Sequence, residues 1–156
     1  MPTELIQPPF FVYGTLRRGL FNYRKHLDGR IAAEEQGRLD GYCLYDASGL
    51  PLVVGRTADT NGVVGELMSV WPDQYDDVLR QLDELEGYDP ADPTCIYVRV
   101  LVTVRSNTGP VSAWLYEAGD TVARELTPDN KVSSGDWVLH QAEIPDVSAR
   151  RNDVVG

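Results

Sequence analysis

The alternation of apolar and polar residues predicts a chain built mostly of β-strands. Apolar or alternating runs before residue 71 predict strands at 10–13, 31–39, 41–46, 51–54 and 62–70. Further strands are expected at 96–105 and 111–117, with a short helix near 20–28 and a last short element around 135–140. One long helix among these strands, described next, favours an α+β (mixed α/β) fold around a curved sheet.

The strongest helix signal covers residues 72–86. Pro72 suits the first turn of a helix, and Gly87 is the expected stop. At about 100° per residue, one apolar stripe along this helix is formed by Tyr75, Val78, Leu79, Leu82 and Leu85. The pattern therefore predicts an amphipathic helix that packs against the sheet.

Glu86 is the unusual position of this helix. It falls on the apolar stripe, whereas Glu84 points to the opposite side and Asp83 lies at the margin. A carboxylate on a buried face is costly unless it is paired, hydrogen-bonded or functional. Burial and the helix dipole both disfavour its charge, so we expect the pKa of Glu86 to lie above the usual value of about 4.3. Such a carboxyl group can transfer protons near neutral pH. The alternative is a frayed last helical turn in which the Glu86 side chain is rotated into water.

A second candidate site lies where the first apolar strand ends. The sequence FFVYGTLRRG, residues 10–19, runs from a buried strand into Gly14 and then into a polar turn. Gly14 would let a ligand or another backbone approach closely, and exposed N–H groups of such a turn can hold a carboxylate or carbonyl oxygen. The nucleotide-binding patterns GxxxxGK[ST] and GxGxxG are absent from this segment. A tight turn within the core is the alternative.

The strand predicted at 96–105 has one aliphatic face, formed by Ile96, Val98, Val100, Val102 and Val104. Tyr97 and Arg99 share the other face, so both could reach a pocket, with ordinary sheet surface as the alternative. Tyr116, in the next strand, fits either a pocket wall or the core. The Pro- and Asp-rich stretch 88–94 is expected to form a surface loop that contributes to selectivity.

Composition excludes several classes of function. With 14 basic and 24 acidic residues, the formal net charge of −10 argues against binding to nucleic acid or to anionic membranes. The basic cluster Arg17, Arg18, Arg24 and Lys25 is the exception, and either balances nearby acids or attracts a substrate carboxylate. No apolar run approaches the roughly 20 residues that span a bilayer, and the first nine residues do not resemble a signal peptide. We therefore expect a cytoplasmic protein.

Metal and serine-nucleophile chemistry have no sequence support. His26, His140, Cys43 and Cys95 lack metal-ligand spacing, and the two cysteines are expected to be buried thiols rather than a disulfide. There is no GxSxG pattern of a serine hydrolase. The 156 residues suit a single domain, 1–156, with a core at about 10–140 and a polar, loosely ordered tail at 145–156.

Six short motifs occur in an order that resembles one known family. They are Tyr13-Gly14-Thr15-Leu16 with Arg17-Arg18-Gly19 and Asn22, then Gly65-Glu66-Leu67, Leu82-Asp83-Glu84-Leu85-Glu86-Gly87, Tyr97-Val98-Arg99, Ala113-Trp114-Leu115-Tyr116, and Ser134-Gly135-Asp136-Trp137. Together they resemble the γ-glutamylcyclotransferase-like (AIG2-like) family over roughly residues 10–138. The form of the first motif resembles most the γ-glutamylamine cyclotransferase branch.

The resemblance implies a small closed or nearly closed β-barrel flanked by helices, and a small-molecule substrate. In this family the α-amine of a γ-glutamyl compound attacks its own side-chain amide, giving 5-oxoproline and a free amine without a metal or organic cofactor. Glu86 matches the catalytic glutamate, and residues 13–16 match the substrate-binding turn. Together with the strand pattern at Tyr97 and Arg99, the predicted site thus contains Glu86 as general acid/base and, for substrate binding, Tyr13, Gly14, Thr15, Leu16, Tyr97, Arg99 and Tyr116.

Two alternatives remain open at the level of sequence. One is a binding module that keeps the cavity without turnover; the other is a γ-glutamyl amidase that releases glutamate. Glu86 on the apolar stripe favours an enzyme, because a pure binder gains nothing from a buried acid. The leaving amine and the oligomeric state are not encoded in any of these motifs.

Overall fold

A closed five-stranded β-barrel forms the centre of the computed structural model, which describes residues 7–55 and 62–142. The chain's seven described strands are β1 Phe10–Val12, β2 Ile31–Leu39, β3 Tyr42–Ala47, β4 Leu50–Gly55, β5 Val63–Val70, β6 Tyr97–Ser106 and β7 Gly109–Ala118. The barrel order is β1-β5-β2-β6-β7, and β3 pairs with β4 as a separate hairpin. Parallel pairing of β1 with β7 closes the barrel. The predicted mixed α/β fold with a closed barrel is confirmed.

Short helices connect and cover the strands. They are α1 Phe21–His26, α2 Tyr75–Glu86, α3 Asp120–Ala123 and α4 Trp137–Ala142, with 3-10 turns at Pro72–Gln74 and Pro128–Asn130. The helix predicted at 72–86 is therefore confirmed, except that its first three residues form the 3-10 turn. Neither α3 nor the second 3-10 turn was predicted, because each is too short to show a helical period.

Two apolar clusters lie on opposite sides of the barrel wall, as the alternation of side chains along a strand requires. Phe10 and Val12 of β1 belong to one cluster together with Val78 and Leu82 of α2. The intervening Phe11 belongs to the other cluster, together with Leu67, Val104 and Leu115. Since α2 covers the first side, it packs on the outside of the barrel, and the second cluster fills the barrel interior.

Strand β6 differs in part from its predicted pattern. Val104 is fully buried, but Ile96 is 47% exposed, and Tyr97 on the opposite face is only 1% exposed. The reason is that α2 and the β3–β4 hairpin cover the Tyr97 face at this end of the strand, where the Tyr97 hydroxyl donates to the carbonyl of Pro51. A single aliphatic face therefore describes only part of β6.

A left-handed glycine fixes the position of Glu86. Gly87 ends α2 with φ 71°, and the Tyr88 N–H donates to the Asp83 carbonyl at 2.9 Å, as in a Schellman cap. Glu86 is thus the last residue of the helix rather than part of a frayed end. The apolar stripe is also confirmed, because Tyr75, Val78, Leu82 and Glu86 are the buried residues of α2.

Other expectations concern the rest of the chain. Cys43 and Cys95 are both free and buried, as predicted. None of the helices in the described ranges is long and apolar enough to cross a membrane. The tail predicted at 145–156 lies outside the described residues.

Candidate active site

The carboxyl group of Glu86 lies in a nearly closed environment of tyrosines. Glu86 is 4% exposed, and Tyr13, Tyr97 and Tyr116 are 0%, 1% and 4% exposed. Burial raises the pKa of each phenol, and the negative charge of Glu86 raises it further. The three side chains therefore remain neutral hydrogen-bond donors at physiological pH. Tyr13 is the first residue of the turn at residues 13–16, called the motif turn below, and it lies within electrostatic reach of Glu86.

Each of these tyrosines is held by a short hydrogen bond of 2.6 Å. The Tyr13 hydroxyl donates to the backbone carbonyl of Tyr116, and the Tyr97 hydroxyl donates to the carbonyl of Pro51. The Tyr116 hydroxyl donates to Oδ1 of Asp83, one helical turn before Glu86. The first bond links the residue after β1 to β7, and the second links β6 to β4. The third links β7 to α2, the helix that carries Glu86.

The turn after β1 is folded tightly onto α1. The Arg17 N–H donates to the carbonyl of Gly14 at 3.0 Å, and the Tyr23 N–H donates to the carbonyl of Thr15 at 3.3 Å. The buried amide of Asn22 donates from Nδ2 to Oγ1 of Thr15 at 2.8 Å. With Leu16 only 1% exposed, the whole segment 13–16 is buried and fixed. Its backbone groups are positioned before any ligand arrives.

Arg17 forms an internal ionic network that the sequence did not indicate. Its Nε and Nη2 donate to Oε2 of Glu66 at 3.0 and 2.8 Å, and its Nη1 donates to Oδ1 of Asp136 at 2.7 Å. The Arg18 N–H also donates to Oε1 of Glu66 at 3.3 Å. Arg17 and Glu66 are 8% and 5% exposed. Of the two readings of the basic cluster, Arg17 fits the balancing of nearby acids, here inside the protein.

Arg99 is likewise engaged within the protein. Its Nε donates to Oδ1 of Asp83 at 2.8 Å and its Nη2 donates to Oδ2 at 3.2 Å. The guanidinium lies 4.4 Å from the ring centre of Trp114 and 5.4 Å from that of Tyr88. Arg99 and Tyr97 do share a strand face, but Arg99 reaches α2 rather than the motif turn.

A cavity of about 370 Å³ borders the loop that follows Glu86. Its walls include Tyr88, Val98 and four acidic residues, Asp89, Asp92, Glu117 and Asp120. Burial raises the pKa of Glu117, although the Tyr42 hydroxyl donates to its carboxylate at 3.1 Å. The negative charges of Glu117, in the cavity wall, and of Glu86 both raise the pKa of Tyr13.

This arrangement is suited to proton transfer on a bound polar molecule. A buried carboxyl group can accept and return a proton, and backbone N–H groups of a fixed turn can stabilise a developing oxyanion. Glu66, Asp83 and Asp136 were present in the quoted motifs, yet no role was predicted for them. The sequence signal for a role of Glu66 is its position as an acidic residue within the mostly apolar strand β5.

The chain is similar to known proteins in both sequence and fold. The family described as "Gamma-glutamyl cyclotransferase, AIG2-like" matches residues 10–139. The gamma-L-glutamyl-butirosin B gamma-glutamyl cyclotransferase of Niallia circulans is 28% identical over 114 residues, which are 72% of this chain and 68% of that protein.

Two solved structures illustrate the likeness of the fold. YkqA from Bacillus subtilis matches with a TM-score of 0.64 and 28% identity over 87% of this chain, which spans only 41% of YkqA. An AIG2-like protein from Mus musculus matches with a TM-score of 0.66 and 23% identity, covering 93% of this chain and 95% of that one. At this identity the mouse protein supports the fold alone.

Proposed function

The chain belongs to the γ-glutamyl cyclotransferase, AIG2-like family, and from this membership we propose that it converts a γ-glutamyl amine into 5-oxoproline and the free amine. The observation that carries the proposal is the Glu86 carboxyl group, 4% exposed at the end of α2. Its negative charge raises the pKa of three buried tyrosines, one of which, Tyr13, begins the motif turn. A curated relative that acts as a γ-glutamyl cyclotransferase supports the same reaction type.

Glu86 is the general acid/base of this mechanism. The α-amine of the substrate titrates near pH 8 and is mostly protonated at neutral pH, so a proton must leave before it can attack. Glu86 takes that proton, and the amine nitrogen then bonds to the γ-carbonyl carbon, closing a five-membered ring. The bond from that carbon to the leaving nitrogen breaks as the proton on Glu86 passes to this nitrogen. The ring nitrogen still carries one proton more than the product amide, and this proton is released to solvent. No water is consumed.

The motif turn is the proposed binding surface for the γ-glutamyl group. Backbone N–H and C=O groups of Tyr13, Gly14, Thr15 and Leu16 would hold the substrate in a ring-closing conformation, which lowers the barrier by orientation. The same N–H groups are the proposed donors to the developing oxyanion, because the hydroxyls of Tyr97 and Tyr116 already donate to Pro51 and Asp83. Tyr97 and Tyr116 are proposed to line the same site with their rings.

The acidic cavity beside Tyr88 is the proposed place for the leaving amine. Its four carboxylates attract a cation and repel an anion. We therefore expect kcat/KM to be at least about tenfold higher for a γ-glutamyl diamine than for a γ-glutamyl conjugate of an acidic amino acid. The preference is expected to weaken as salt is added, because ions screen these charges. Faster turnover of the anionic conjugate would contradict this assignment.

The reaction itself is tested with a panel of γ-glutamyl amines, γ-glutamyl amino acids and glutathione. The products are identified by mass spectrometry, and ligand binding is followed by thermal shift. Formation of 5-oxoproline with the free amine supports the proposal. Release of glutamate instead indicates an amidase. Stabilisation by ligands without any product indicates a binding module that has lost turnover.

Gly14→Val tests the motif turn directly. Gly14 is buried, and we expect an added side chain to fill the space above the turn. The substitution should therefore weaken ligand binding at least about tenfold or destabilise the fold by about 1–3 kcal/mol. Binding is measured by calorimetry and stability by urea unfolding. Ser112→Val, at an exposed position of β7, is the control and should change neither. Unchanged affinity and stability in Gly14→Val would refute the turn assignment.

A further inference from the structure

Asp83 connects the helix that carries Glu86 to the wall of the barrel. It lies one turn before Glu86, and residues three apart on a helix are neighbours. Its carboxylate accepts three hydrogen bonds, one from the Tyr116 hydroxyl at 2.6 Å and two from Arg99 at 2.8 and 3.2 Å. The Asp83 and Arg99 side chains are only 23% and 17% exposed. Solvent therefore screens this forked pair less than an ordinary surface pair.

Asp83 also fixes the chain on the other side of Glu86. Its backbone carbonyl accepts the N–H of Tyr88 at 2.9 Å, which closes the end of α2. The Arg99 guanidinium held by its side chain lies over the rings of Tyr88 and Trp114. The residues before and after Glu86 are thus both attached to strands β6 and β7.

A third connection leads from Asp83 to the motif turn. Tyr116, whose hydroxyl is bound to Asp83, accepts the Tyr13 hydroxyl at its backbone carbonyl. A shift of the Asp83 carboxylate would therefore displace the Tyr116 side chain, and a shift of the Tyr116 backbone would displace the Tyr13 hydroxyl that donates to it. One carboxylate thereby links the helix end, two barrel strands and the turn.

We propose that Asp83 is the positioning residue for Glu86, holding Arg99 and Tyr116 so that the last turn of α2 faces the motif turn in the geometry needed for proton transfer. This inference rests on the proposed function. It also assigns Arg99 a role different from the predicted substrate binding: Arg99 binds Asp83.

Asp83→Asn is the principal test. Asparagine keeps the shape but loses the charge that binds both nitrogens of Arg99, so we expect kcat to fall about 10- to 100-fold with KM changed only a few-fold. Asp77→Asn is the matched control. Asp77 lies at the start of α2 and is paired with Arg30 and Arg80, so this variant also loses ion pairs but far from Glu86. Its kcat should stay within about twofold of wild type.

Arg99→Lys provides a second variant in case Asp83→Asn does not fold. Lysine keeps the positive charge but cannot form the forked pair. If Arg99 acts through Asp83, kcat falls and KM changes little. If Arg99 instead binds a substrate carboxylate, KM rises and the inference is refuted.

The remaining outcomes are also decisive. If Asp83→Asn lowers only the melting temperature, while kcat of the folded protein equals that of Asp77→Asn, Asp83 is structural and the inference is wrong although the proposed function stands. If the wild-type protein forms no 5-oxoproline from any member of the panel, the proposed function fails and the inference fails with it. Wild-type turnover therefore separates the two failures.

Discussion

Glu86→Gln is expected to lower kcat for 5-oxoproline formation by about 100-fold or more, with substrate affinity and fold close to wild type. Glutamine has almost the same shape as glutamate but cannot accept and return a proton, and general acid–base catalysis contributes roughly 10²–10⁴-fold. Of the neighbouring carboxylates on α2, Glu84 is exposed and Asp83 is already bound to Arg99 and Tyr116, so neither is expected to replace Glu86. The loss is measured from initial rates of 5-oxoproline formation under saturating substrate.

Glu84→Gln is the matched control for this experiment. Glu84 lies on the same helix, two positions before Glu86, but its side chain is 70% exposed. The substitution removes the same charge from the same helix end, and kcat is expected to stay within about twofold of wild type because surface changes of this kind are nearly silent. If Glu86→Gln retained activity similar to that of Glu84→Gln, Glu86 would not be the proton carrier.

Arg17→Met is expected to have the largest effect on stability, about 3–5 kcal/mol in the free energy of unfolding. The reason is that methionine leaves the carboxylate of Glu66 buried without its guanidinium partner, and an uncompensated buried charge is costly. The same change also frees the carboxylate of Asp136, which caps α4 by accepting the N–H groups of Val138 and Leu139. Urea unfolding followed by circular dichroism measures the difference.

Two further variants give this prediction its controls. Arg18→Met changes the neighbouring residue, whose side chain is 68% exposed in its pair with Glu34, so it should cost no more than about 1 kcal/mol. Arg17→Met combined with Glu66→Leu removes both buried charges and is expected to recover most of the lost stability. A loss below 1 kcal/mol for Arg17→Met alone would show that the network does not stabilise the fold.

Local patterns were sufficient to predict α2 and the burial of Glu86. The helix has a clear 3.6-residue period and ends at Gly87, both of which depend on residues close in sequence. Barrel closure depends instead on pairing between strands distant in sequence, such as Phe10 with Trp114. The strand pattern predicts only a curved sheet, and the barrel followed from the family resemblance.

The contacts that organise the site could not be predicted from periodicity. Arg17 meets Glu66 across 49 positions and Asp136 across 119, and nothing in the local pattern distinguishes it from the exposed Arg18 beside it. Arg99 was correctly placed on one strand face with Tyr97, but its partner Asp83 lies on another element. Side-chain pairs of this kind become visible only when the elements are assembled.

Isotope labelling in H₂¹⁸O with a γ-glutamyl amine substrate tests the central claim of intramolecular cyclisation. Ring closure takes no oxygen from solvent, so the account predicts unlabelled 5-oxoproline and free amine, with the rate reduced about 100-fold or more in Glu86→Gln. Hydrolysis would place one ¹⁸O atom in released glutamate. Labelled glutamate as the primary product, or unlabelled 5-oxoproline formed equally fast by Glu86→Gln, would contradict the account.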